Sequence, residues 1–225
     1  MGRLHNGVMD ALRRPVARLL VPGLVLIALA CGLGWWILLR GPEPFVVDDA
    51  WNMLLVGWRI DALTAFSQAM NWLGGGIVGV FIIPIGGAIA LVIARRYIGA
   101  AYFVAASLVS AGAVQALKHL FGRARPEEII VISDYGSFPS GHAANAATVA
   151  AVAVVLFPRL WVVIAGAVWV VLMAFSRTYL HAHWLSDTVG GAMVGVGTAL
   201  VVAAAMAVPL RSEQTHRQRR HASVG

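Results

Sequence analysis

An all-α integral membrane bundle of six transmembrane helices, with short loops and an interfacial amphipathic segment between the first two spans, is what this sequence predicts. Of 225 residues, 60% are hydrophobic and 12% are charged, against roughly a quarter charged in an ordinary soluble domain. Long apolar runs recur along the chain, and Lys and Arg fall unevenly about them. A span needs about 20 apolar residues, so six spans with short loops leave almost nothing for a soluble domain. One membrane-embedded domain over 1–225 is expected, with a chemical core at 118–187 and a basic tail at 211–225.

The first run follows Arg13, Arg14 and Arg18, and Ala28-Leu29-Ala30-Cys31 faintly resembles a lipoprotein cleavage site. The run continues through Trp35, Trp36 and Leu39, which suits an uncleaved span from Leu19 to Leu39 and leaves Cys31 as a packed residue. From Asp48 to Leu73, Trp51, Leu54, Leu55, Trp58, Phe66 and Trp72 mix with Asp49, Arg59, Asp61 and Gln68, the pattern of a helical segment lying on the membrane surface. The other spans are expected at Ile77–Ala94, Ile98–Leu117, Ala143–Phe157, Leu160–Phe175 and Thr188–Leu210. The fourth and fifth are short for a hydrocarbon core of roughly 30 Å at about 1.5 Å per residue, which places their flanking polar residues near headgroup depth. A single cysteine excludes an internal disulfide framework and Cys-rich structural zinc.

The formal charge of +7 does not signal nucleic acid, because the basic residues form no stripe beside aromatic ones. It reads as sidedness. With the N-terminus inside, inner segments hold eleven basic residues (Arg3, Arg13, Arg14, Arg18, Arg95, Arg96, Arg159, Arg211, Arg217, Arg219 and Arg220) against Asp10 and Glu213. Outer segments hold six, Arg40, Arg59, Lys118, Arg123, Arg125 and Arg177, with the other eight acids. Positive-inside bias then places both termini in the cytoplasm.

Most polar residues with chemical potential lie at four span ends: Lys118 to Pro126, Pro139 to His142, Ser176-Arg177 and His183 to Asp187. Alternating topology puts all four on one face, the outer one. Lys118, Arg125 and Arg177 suit an anion with several oxygens. Ser140-Gly141-His142 opens a helix, whose free N–H groups favour an oxyanion. His183 and Asp187, four apart, share a helix face, where the carboxylate can hold one ring nitrogen and leave the other to attack. His142, from another helix, can give a proton to a leaving oxygen.

Lys118-(six residues)-Arg125-Pro126, Pro139-Ser140-Gly141-His142 and Ser176-Arg177-(five residues)-His183-(three residues)-Asp187 resemble the three signature motifs of the type 2 phosphatidic acid phosphatases, or lipid phosphate phosphatases. All three are complete and in order. The resemblance implies a phosphomonoesterase or pyrophosphatase that needs no metal or other cofactor and works through a phosphohistidine. His183 would be the nucleophile, Asp187 its orienting partner and His142 the general acid. Lys118, Arg125, Ser140, Gly141 and Arg177 would bind phosphoryl oxygens. The implied partners are a lipid phosphate, such as phosphatidic acid, phosphatidylglycerophosphate or undecaprenyl diphosphate, and the bilayer of an inner membrane. The family shares this site with vanadium-dependent haloperoxidases and soluble acid phosphatases, both disfavoured by the spans.

The motifs leave several residues with plainer expectations. His181 lines the site or its entrance, His119 is a boundary residue, and Arg123 aids an anionic headgroup without being essential. Glu127, Glu128 and Asp134 are solvated charges, and Trp51, Trp58 and Trp72 are interfacial anchors. Gly191 and Gly195 mark a close helix contact. A lipid transporter or flippase is the competing class, but its charges would lie at the midplane, with broken helices in matching halves.

Overall fold

The computed structural model describes residues 2–222, with side chains for 16–217, so Arg3, Asp10, Arg13, Arg14, Arg219 and Arg220 lie outside the described side chains. All regular structure among the described residues is helical. The helices are α1 (Gly2–Arg40), α2 (Val46–Gly57), α3 (Asp61–Gly74), α4 (Ile83–Ile93), α5 (Tyr97–Phe121), α6 (Gly141–Leu156), α7 (Leu160–Tyr179), α8 (Leu185–Ala205) and α9 (Ala207–Ala222), with a π-helical turn at Val78–Ile82 leading into α4. Four stretches are long and apolar enough to cross a membrane: Val16–Arg40, Tyr97–Phe121, Leu160–Tyr179 and Leu185–Ala205. Helix α3 and the segment Val78–Ile93 pass together as a fifth, bent by 46°, and α6 is a shorter apolar helix. The chain is a multi-pass membrane protein.

Helix ends follow local chemistry. Gly122 stops α5 by taking the left-handed region at φ +54° and donating its N–H to the Lys118 carbonyl at 2.9 Å, a conformation that costs glycine nothing. Pro126 and Pro139 keep the following loop out of helix. Ser140 caps α6, accepting from the Ala143 N–H at 3.5 Å. At the start of α8 the Asp187 carboxylate accepts from the Trp184 N–H at 2.8 Å. Between α3 and the π turn stand Gly74, Gly75 and Gly76, the last at φ +55°, and Asn145 of α6 ties the break by donating to the carbonyls of Gly74 and Gly79 at 3.3 and 2.9 Å.

Helix α8 is the axis of the bundle, packed against α1, α5 and α6. A Cβ on Gly191 or Gly195 would collide with the α6 carbonyls of Ser140 and Ala144, and one on Gly197 would press on Gly23 and Ile27 of α1. Without a hydrophobic driving force between helices in lipid, close approach supplies the packing, so the contact expected of Gly191 and Gly195 is present. Polar groups inside are satisfied across helices: Thr148 donates to Ser110 at 2.8 Å and Tyr102 to the Ala199 carbonyl at 3.0 Å.

Several expectations need correcting. The 48–73 segment is two helices, and the second of them, α3, belongs to the bent pair. Helix α7 runs to Tyr179, so Ser176 and Arg177 are helical. The last span ends at Ala205, and Leu210 sits on α9. The tail is not simply solvated: Glu213 accepts from the N–H groups of Ile98 and Gly99 at 2.7 and 3.1 Å, capping α5, and Arg217 donates to the Ala94 carbonyl at 2.5 Å. Cys31 is a free, half-buried thiol.

Candidate active site

Four helix ends and one loop converge as the hydropathy pattern requires. Lys118, at the end of α5, donates to the Gly136 carbonyl at 2.6 Å and lies 3.3 Å from Asp134 Oδ1. Arg125 donates to Asp134 Oδ1 and the Gly136 carbonyl, both at 2.8 Å, and to the Ala182 carbonyl. The 122–139 loop therefore aims both cations, and Asp134 is no free solvated charge. Burial pushes its carboxyl up, but Lys118 and Arg125 outweigh that and hold it below the ordinary carboxylate range.

His183 lies between α7 and α8, 3% exposed. Its Nδ1 is 2.8 Å from the Ser137 carbonyl. A carbonyl only accepts, so Nδ1 carries the proton and Nε2 keeps its lone pair. Nη1 of Arg125 stands 3.3 Å from that nitrogen. Burial first, then the positive charges of Arg177, Arg125 and Lys118, drive the imidazole well below its ordinary value of 6.5, so the ring stays neutral and nucleophilic at neutral pH. Asp187 Oδ2 is 3.7 Å from Nδ1, too far for a hydrogen bond. The backbone of Ser137 thus orients the ring, while the carboxylate faces it as a nearby negative charge.

Both Asp187 oxygens are occupied, one by the Trp184 N–H and the other by Arg123 Nη1 at 2.6 Å. Arg123 also binds Asp48 of α2 at 2.7 Å and Ser186 at 2.7 Å. Asp48, Arg123 and Asp187 are all buried. This corrects the reading of Arg123 as an optional headgroup contact: a buried guanidinium between two buried carboxylates is held by pairing and serves the packing of α2 against α8.

On the other side, His142 Nε2 is 3.0 Å from the Asn71 carbonyl, so Nε2–H donates. Arg177, 2% exposed, donates to the Asn71 side-chain oxygen, and its Nε finds no acceptor among the described residues. Lys118, Gly141, His142, Arg177 and His183 line one cavity of about 520 Å³. Ser140 and Asp187 are fully buried behind it, and Arg125 reaches the site through His183. His181 does not line the cavity: it is buried with Nδ1 2.6 Å from Asn52, which donates to Glu128 at 2.9 Å. Among the described residues, no three His, Cys, Asp or Glu side chains form a set able to hold a metal ion.

A family profile described as "PAP2 superfamily" matches residues 99–209, the stretch holding every motif residue above. The chain carries a PAP2 superfamily domain. Over 63 residues it is 38% identical to the undecaprenyl-diphosphatase of Sulfolobus acidocaldarius, covering 28% of this chain and 30% of that protein. Over 102 residues it is 34% identical to the lipid A 1-phosphatase of Rhizobium johnstonii, covering 39% of each. The chain thus spans well under half the length of these curated relatives. The fold superimposes on the transmembrane PAP2-type phosphatidylglycerolphosphate phosphatase of Bacillus subtilis with a TM-score of 0.65 at 25% identity, over 80% of this chain and 93% of that one.

Asp48 and Asn71 lie before the PAP2 domain match, and Ser137 acts through a backbone carbonyl, so no motif marks them. A weak signal was present: acids and an amide on a segment otherwise suited to the membrane surface.

Proposed function

We propose that this protein is a lipid phosphatase that removes a terminal phosphate or diphosphate group from a membrane lipid through a phosphohistidine. The observation that carries the reading is Arg177: a buried guanidinium with an unpartnered Nε, in one cavity with Lys118, His142 and His183. A multi-oxygen anion satisfies such a site, and the two histidines supply the chemistry.

In this reading His183 Nε2 attacks phosphorus while the bond to the lipid oxygen breaks, and His142, in its imidazolium form beside the bound phosphate, gives that oxygen its Nε2 proton and is left as the neutral ring. Water then attacks phosphorus with His142 as base, the P–N bond breaks and phosphate leaves. Ser137 accepts from Nδ1–H throughout, and Asp187 stabilises the charge that grows on the ring. Lys118, Arg125, Arg177 and the N–H groups at Gly141 and His142 hold the phosphoryl oxygens, with Ser140 shaping that turn.

A lipid is favoured over a soluble ester by a second, apolar groove of about 710 Å³ that shares Gly74 and Asn145 with the site cavity and runs past Ala146, Val149, Trp169 and Met173. We take the four long helices, the bent pair and α6 as six spans of one domain, with both termini cytoplasmic and the site facing outward, on the sidedness of Lys and Arg. Undecaprenyl diphosphate, phosphatidic acid and phosphatidylglycerophosphate all present the terminal group the site suits. Transport without hydrolysis is disfavoured because the motif charges gather at helix ends on one boundary, not at the midplane, and only one helix pair among the described residues is bent.

The test is phosphate release from detergent-solubilised protein with these three lipids in chelator. Release by the wild type, lost in His183→Ala, is expected. Full activity in His183→Ala, or no release from any of the three, overturns the reading.

A further inference from the structure

The C-terminal end of α3 touches the site twice through one residue. The Asn71 carbonyl accepts from His142, and its side-chain oxygen accepts from Nη1 of Arg177. Among the described residues that amide oxygen is the only acceptor found by this buried guanidinium, whose Nε has none. Asn71 itself is half-buried and stands three residues before Gly74. There Gly74, Gly75 and Gly76 line the site cavity, and Gly76 has a positive φ. The residue thus stands in the last turn of α3, just before a glycine break.

A neutral amide oxygen is a weak counterpart for a desolvated guanidinium, and a phosphoryl oxygen is a stronger one. The two compete for the same N–H. We propose that Asn71 is a substrate-displaced latch: its side chain holds Arg177 in register and yields that donor to the phosphoryl group, so Asn71 sets affinity for the anion. The inference rests on the reading of the cavity as a phosphate site.

The sign of two substitutions separates a latch from a simple support. Purified full-length wild type, Asn71→Ala and Asn71→Asp are titrated with orthovanadate as the phosphate analogue, by calorimetry and by inhibition, and KM is measured for the lipid substrate. For a latch, Asn71→Ala removes the competitor and tightens vanadate binding and lowers KM by roughly fivefold. Asn71→Asp, of the same shape but anionic, pairs with Arg177 and weakens both by roughly tenfold or more. Weaker binding in Asn71→Ala with recovery in Asn71→Asp means that Asn71 only supports Arg177 and overturns the proposal, as do equal values in all three proteins. If Asn71→Ala does not elute as monodisperse protein, Asn71→Ser, whose shorter side chain withdraws the acceptor, carries the same expectation. Should the wild type release no phosphate from any lipid, the proposed activity fails, while calorimetry with vanadate still decides the latch.

Discussion

The two ends of the bundle both gather charged side chains at helix termini, and they use them in opposite ways. At the end away from the site, charges serve the helices. Glu213 caps α5, Arg217 caps α4, and Arg96 donates to the Leu156 carbonyl at 3.0 Å while lying over the Phe157 ring at 4.3 Å. At the site end, Lys118 and Arg125 are held by loop carbonyls and by the mostly exposed Asp134, and Arg177 is left with one neutral acceptor. A terminus whose donors and acceptors are matched internally is scaffold. One that fixes its other cations and leaves a buried guanidinium, Arg177, short of acceptors is poised for an anion.

The sharpest way to test that contrast is at His183. His183→Ala is expected to lower kcat by about 10⁴-fold or more, measured as phosphate release, with the melting temperature little changed, because the ring's own bonds are few. Arg123→Ala tests the scaffold within the site end. It leaves Asp48 and Asp187 as buried charges without their partner, and a loss of about 3–5 kcal/mol is expected, read from unfolding in detergent. A stability equal to wild type there would mean that the network is decoration.

The pH profile follows from the depressed imidazole of His183. Its proton is lost well below 6.5, so the acid limb of kcat/KM is expected below that value, and Arg125→Gln, which removes a neighbouring positive charge, should move the limb to higher pH. The linked stability has a definite sign. As pH falls through 6.5 the unfolded chain takes up a proton that the folded chain refuses, so stability declines until the folded value is reached. A limb at or above 6.5 in the wild type contradicts this account. The smallest effect is expected at the opposite end: Glu213→Gln weakens a helix cap by about 1 kcal/mol and leaves kcat/KM unchanged, and a large fall in activity there would erase the distinction between the ends.

Much of this was legible along the chain. The runs that became α1, α5, α7 and α8 stood out by hydropathy, and alternation alone put Lys118, His142, Arg177 and His183 at one boundary of the bundle, where the structure gives them one cavity. Other features were not. Arg123, two residues from Arg125, read as a spare surface cation; its burial between Asp48 and Asp187 depends on α2 docking beside α8. His181, two residues from His183, turned out to face Asn52 of α2. Asp134 read as solvated because nothing local shows that a loop folds back over Lys118.

By itself the sequence determined the membrane class, the motif residues and their common end of the bundle, since hydropathy and spacing act locally and are written in side-chain types. The tertiary structure alone decided who holds those residues. Ser137 orients His183 through a backbone carbonyl, Asn71 meets His142 and Arg177 from 71 and 106 residues away, and Asp48 reaches Arg123 across 75. Such partners are chosen by which helix ends pack together, and a carbonyl or a neutral amide carries no mark of that choice until the chain has folded.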